Sequence, residues 1–154
     1  MYPDDPETIA VRDAIFDPFE YFVERKKDGL LKTQFANSLG TVSYHIPCHS
    51  RVQNMGQKTR EMLEAVPGTK VNTVERCAGH DGTWGVKEEY FEKSMKIGRP
   101  VFRQMGETPH GAPDYVSSDC PIAGRHIMQG IRESGEPTAE KAHPLTLLRK
   151  AYGL

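Results

Sequence analysis

Residues 41–48, TVSYHIPC, set the pattern for the chain. β-Branched and aromatic residues favour a short strand over 41–46, Pro47 ends it, and Cys48 follows at once. The same order recurs twice. Residues 70–74, KVNTV, read as a second strand with Cys77 soon after, and 114–118, DYVSS, as a third with Cys120 soon after. Helical stretches separate them. One covers 55–66 and closes at Pro67-Gly68. Another covers 87–105, with a break expected at Gly98-Arg99-Pro100, because proline disfavours helix in its predecessor. Pro121 opens a helix over 121–132, and His143-Pro144 opens a last one with Leu145, Leu148 and Tyr152 on its inner face. Strands alternating with helices predict right-handed crossovers and a parallel sheet. The expected fold is therefore α/β, a small parallel sheet with flanking helices. Each cysteine falls at the carboxyl end of a strand, the edge where open α/β sheets bind ligands.

Ahead of this pattern lies a helical preface. Residues 6–15 read as one helix. Asp17 is the N-cap of a second, over 18–28, with Pro18 in the first turn and Phe19, Phe22 and Val23 forming an apolar stripe. Lys26 and Lys27 suit its last turn, and Gly29 its end. Residues 30–40 are a linker ending at Gly40, which divides the chain into a preface, 1–40, and an α/β domain, 41–154.

Bulk properties exclude several classes. The 154 residues suffice for a proper core. A net charge of −1 without a block of like charge gives no basic face for nucleic acid. No apolar run reaches membrane-spanning length, and the N-terminal MYPDDPETIA is acidic, unlike a signal peptide, so a cytoplasmic protein is expected. Three widely spaced cysteines do not make a secreted disulfide framework.

Soft ligands are concentrated in residues 74–85, VERCAGHDGTWG. Cys77 is a thiol, His80 follows within a turn, and Gly79, Gly82 and Gly85 let the chain wrap tightly. Thiolates select zinc or iron–sulfur clusters over hard cations. Cys48, Cys77 and Cys120 form the candidate ligand set, with His49 or His80 as a fourth donor and the Gly79 and Gly82 N–H groups as hydrogen-bond donors to sulfur. No close Cys-x-x-Cys pair is present, so this is not a zinc-finger pattern. Buried free thiols are the competing reading. Another makes Cys77 a reactive thiol activated by Arg76, against a plain surface pairing of Arg76 with Glu75 or Asp81. Of the remaining residues, His45 reads as a satisfied core histidine, His126 as facing a neighbouring element, His110 as solvated and Trp84 as a core plug beneath the loop.

An ordered set of motifs goes further. YHIPCHSR (44–51), VPG (66–68), VERCAGHDGTWGVK (74–87), SMKIGRPVFRQM (94–105), DYVSSDCPIAGRHI (114–127) and HPLTLLRKAYG (143–153) together resemble the cysteine-rich CCG domain. That domain occurs in heterodisulfide reductase and in the iron–sulfur subunit of anaerobic glycerol-3-phosphate dehydrogenase, the second being the nearer likeness. The resemblance implies an iron–sulfur electron-transfer domain of an oxidoreductase. Cys48, Cys77 and Cys120 would be the metal ligands, with His49, His80 and Gly79 around the cofactor. The family pattern is Pro-Cys-His, then Cys-Cys-Gly, then Cys-x-x-Cys. Arg76 and Ala123 stand where two of its five thiols belong. The three that remain suit a [4Fe–4S] or [3Fe–4S] cluster, or zinc in a structural or interaction module that has lost its redox centre. The chain resembles the C-terminal domain of such proteins. Its implied partners are other oxidoreductase subunits or a missing N-terminal ferredoxin-like or CCG half, through which it would meet a membrane if at all.

Overall fold

The computed structural model describes residues 4–135 and 139–154; residues 1–3 of the acidic N-terminal stretch lie outside the described residues. Two helices come first, α1 (Pro6–Ala14) and α2 (Pro18–Lys27). The Asp17 carboxylate accepts from the Phe19 N–H at 2.8 Å, so the predicted N-cap of α2 is formed, and Gly29 takes φ +71° just past its end. Strands β1 (Thr41–His45), β2 (Lys70–Val74), β3 (Tyr115–Ser118) and β4 (Glu140–Lys141) make one sheet in the order β2-β1-β3-β4, all parallel. The chain moves outward from β1 to β2, then crosses back over β1 to β3. The direction of winding therefore reverses between β1 and β3, and the carboxyl edge opens there.

Helices cover both faces. Alternation sends Val42 and Tyr44 to one face, where they pack with Phe19 and Val23 of α2, Met62 and Leu63 of α4 (Lys58–Glu64), and Leu147 and Leu148 of α7 (Pro144–Ala151). Val74 and Val116 face the other way, against Val101, Phe102 and Met105 of α5 (Glu88–Gly106) and Ile127 and Ile131 of α6 (Pro121–Glu133). Because both faces are covered, Tyr44 and His45 are both buried, where simple alternation would bury only one of the pair.

Several expectations need correction. Helix α5 runs unbroken through Pro100. A proline inside a helix costs about 3 kcal/mol. Val101, Phe102 and Met105 just beyond it are all buried on one stripe, and each is worth about 1.5–3 kcal/mol. Continuity of that stripe outweighs the lost hydrogen bond. The Phe102 ring fills the space that Cβ atoms at Gly98 and Gly130 would occupy, which draws α5 and α6 together. The stretch 55–66 is helical only over Lys58–Glu64, and an unforeseen short helix, α3 (Cys48–Val52), starts at Cys48 itself. On α7 the inner face is Pro144, Leu147, Leu148 and Ala151. Leu145 is exposed, and Tyr152 packs against Phe35 with ring centroids 4.8 Å apart and planes tilted by 38°. Strand β4 was not foreseen, being two exposed residues without a hydrophobic signature.

Candidate functional site

The three cysteines reach the carboxyl edge by three local routes. Cys48 opens α3, directly after Pro47. Cys120 sits between β3 and α6 in extended backbone, and its carbonyl accepts from the Gly124 N–H at 2.9 Å. Cys77 lies in the loop after β2. That loop folds back on itself, with Gly85 N–H to His80 O at 2.8 Å and Trp84 N–H to Asp81 O at 3.0 Å. Gly79 takes φ +87°, and a Cβ there would collide with the Ser94 carbonyl of α5. Only glycine lets the loop lie this close to the helix.

These routes meet. Cys48, Cys77 and Cys120 line one cavity of about 490 Å³, together with His49, His80 and Gly79. Gly82 lines it too, so all seven candidate residues named from the sequence are brought to one place. All three thiols are free; Cys48 and Cys77 are exposed and Cys120 is half-buried. His80 Nε2 lies 3.9 Å from Cys120 Sγ, while its Nδ1 is buried without a hydrogen-bond partner among the described residues. The Gly79 N–H donates to Cys77 Sγ at 3.4 Å.

The donor set fits a soft metal in kind: three thiols and an imidazole with an unsatisfied nitrogen. It is not drawn together into a finished site. Among the described residues, no three His, Cys, Asp or Glu side chains are close enough to hold a metal ion.

The cavity has a polar frame. His45 Nε2 is 2.8 Å from the Arg76 carbonyl oxygen, which can only accept, so Nε2 carries the proton. Its Nδ1 then accepts from Ser118 Oγ at 3.2 Å, and Ser118 Oγ accepts in turn from the Cys120 N–H at 3.3 Å. One buried ring on β1 therefore ties the Cys77 loop to the Cys120 loop. It is the satisfied core histidine expected from the sequence, and it also lines the cavity. Burial holds its pKa below the usual imidazole value. His126 faces α5 as expected, 3.1 Å from Ser94 Oγ, and burial lowers its pKa too. His110 is exposed, as read.

Trp84 departs from its reading. It is half-buried at the cavity wall, stacked on Tyr90 at 5.1 Å between ring centroids, and is not a core plug. The guanidinium that reaches a sulfur is that of Arg51, whose Nη2 donates to Cys48 Sγ at 3.2 Å. Arg76 is exposed, and among the described residues no ion pair joins it to Glu75 or Asp81.

The family model described as a cysteine-rich domain, CCG, matches residues 42–127. The chain belongs to this family. It is 36% identical over 111 residues to a subunit of the anaerobic glycerol-3-phosphate dehydrogenase of Escherichia coli (strain K12), and equally to the same subunit from Escherichia coli O157:H7. The aligned segment covers 71% of this chain and 26% of each relative, so the chain spans about a quarter of the length of the curated relatives it matches. No solved structure matches it.

Within this CCG domain Ala123 and Arg76, the positions where the resemblance implies further thiols, have different surroundings. Ala123 is fully buried in the apolar cluster with Val101 and Ile127, whereas Arg76 projects to solvent and touches the frame only through its carbonyl. Sequence reading missed Arg51, which the i,i+3 spacing from Cys48 would have exposed had 48–52 been read as a helix. It also missed Ser118 and Asp119, whose partners lie far away in the chain.

Proposed function

We propose that the chain is an iron–sulfur electron-transfer domain of an oxidoreductase, with Cys48, Cys77 and Cys120 as metal ligands. The observation that carries this reading is the meeting of three thiols, from three separate strand ends, in one cavity. Membership of the CCG family supports it, as does similarity to proteins named as a dehydrogenase subunit. When bound, an iron–sulfur cluster would take up and release single electrons. The protein's own residues hold and shelter it. Cys48, Cys77 and Cys120 bind, and His80 or His49 stands by as a fourth donor. The Gly79 N–H and the Arg51 guanidinium give hydrogen bonds to sulfur, which raise a cluster's potential. His45 keeps two of the ligand loops in register. The cluster type is proposed as [4Fe–4S] or [3Fe–4S].

The wider assignment follows the same reading. A heterodisulfide reductase-like or glycerol-3-phosphate dehydrogenase-like complex would supply partner subunits, or a ferredoxin-like and CCG half. Residues 1–40 would serve as a preface to the cysteine-bearing domain, 41–154. We place the protein in the cytoplasm, with any membrane association made through partners. No helix among the described residues is long and apolar enough to cross a membrane.

A second reading, a zinc-binding or interaction module that has lost its redox centre, is favoured by one observation. The position of the family's last thiol, at Ala123, is closed apolar core. Anaerobic purification with metal analysis and visible absorption separates the two. Iron with acid-labile sulfide supports the first reading. Stoichiometric zinc without a visible chromophore supports the second and excludes the first.

A further inference from the structure

A second buried network ends at a cavity cysteine from the opposite side of the sheet. Asp119 directly precedes Cys120. Its carboxylate accepts the Tyr44 hydroxyl of β1, and the Thr59 hydroxyl of α4 at 3.1 Å. Tyr44 is 2% and Thr59 2% exposed, so neither hydroxyl has a ready alternative in water. The Asp119 backbone is gripped as well. His143 Nδ1 accepts the Leu145 N–H at 3.2 Å, which leaves Nε2 as the protonated nitrogen, 3.3 Å from the Asp119 carbonyl. Three elements, β1, α4 and α7, therefore converge on this one residue.

The direction of these bonds matters. Tyr44, Thr59 and His143 belong to the α2/α4/α7 side of the sheet, whereas Cys120 lines the cavity with His80. Cys120 is in extended backbone, at φ −95° and ψ 108°. Asp119 and Cys120 form the bend just past β3, and their contacts lie on opposite sides of the sheet, so pinning Asp119 on one side holds Cys120 toward the other.

We propose that Asp119 is the positioning residue for Cys120, a latch that fixes this thiol at the cavity. The proposal deepens the iron–sulfur reading and rests on it for the metal. The positional part applies equally to the metal-free chain.

The test measures, in reduced metal-free full-length protein, the alkylation rate of each cysteine by mass spectrometry, beside the melting temperature. In Asp119→Ala, Cys120 is expected to react about tenfold faster, the equivalent of roughly one lost hydrogen bond, with Cys48 and Cys77 unchanged. Asp119→Asn, which keeps an acceptor for the hydroxyls, should restore most of the wild-type rate. If Asp119→Ala does not fold, Tyr44→Phe and Thr59→Val are read in the same assay, each accelerating Cys120 alone. A Cys120 rate equal to wild type in folded variants overturns the proposal. So does an equal rise at all three cysteines with a lowered melting temperature, which marks general loosening. A second arm reconstitutes the proteins with ferrous iron and sulfide, and the alanine variant should retain less iron than the asparagine one. If wild type takes up no iron, the metal reading fails, and the alkylation pattern alone decides the latch.

Discussion

His45 Nε2 lies 2.8 Å from the Arg76 carbonyl oxygen, so a ring buried in β1 holds the loop that presents Cys77. The same ring reaches the Cys120 loop through Ser118. His45→Phe keeps the ring's bulk but leaves the Arg76 carbonyl and the Ser118 hydroxyl without this partner. Each buried group left unpaired costs about 1–3 kcal/mol. Because Ser118 Oγ keeps the Cys120 N–H, the Arg76 carbonyl dominates, and denaturant unfolding should show a loss of about 1–3 kcal/mol for His45→Phe and a smaller one for His45→Gln, whose amide can both donate and accept. Equal stability of all three proteins would remove His45 from the frame.

Stability should fall as the solution is acidified below about pH 6.5. His45 and His126 both have folded-state pKa values lowered by burial, from an ordinary 6.5. Below 6.5 the unfolded chain takes up protons that the folded chain refuses, so the unfolded state gains with each step down in pH. The slope approaches ~1.4 kcal/mol per pH unit for each histidine within its window. Unfolding free energies measured between pH 7.5 and 5 check this, and His126→Asn should flatten the slope.

Two glycines of α6 should respond in opposite directions. A Cβ at Gly130 would run into the Phe102 ring, so Gly130→Ala is expected to cost about 1–3 kcal/mol by overpacking. At Gly124 the nearest atom would be Ser118 Cβ at 3.9 Å, an ordinary contact, and alanine should stabilise the helix by about 0.5–1 kcal/mol. Melting curves of the two variants test whether Phe102 sets the approach of α5 to α6.

Arg51 donates to Cys48 Sγ. In iron-loaded protein, Arg51→Met removes an N–H···S bond and a positive charge, and the reduction potential should move to lower values. Spectroelectrochemical titration reads this directly. An unchanged potential would place Arg51 outside the electrostatics of the site.

Much of the fold was legible because its signals are local. Short β-branched runs, one ending at Pro47 and one following Pro67-Gly68, marked β1 and β2, and a helix signal after each made the sheet parallel. The cysteine positions relative to the strands then placed all three thiols on one edge, where the cavity is found. The misreadings were of another kind. Pro100 looks like a helix breaker until Phe102 and Met105 are seen buried in the core that α5 shares with α6. Leu145 and Leu148 share a helix face in projection, yet α7 meets the core further round, at Leu147. Trp84 found its partner in Tyr90 outside the core. The links from Asp119 to Tyr44 and Thr59 join residues far apart in sequence, and no local pattern encodes them.

The most direct test of the three-cysteine centre is the iron and acid-labile sulfide content of anaerobically purified protein, measured beside Cys48→Ser, Cys77→Ser and Cys120→Ser. We predict iron and sulfide together in the wild-type chain, with a sharp loss in each of the three variants. A wild-type chain free of iron and sulfide would contradict the account, as would three variants that keep the wild-type content.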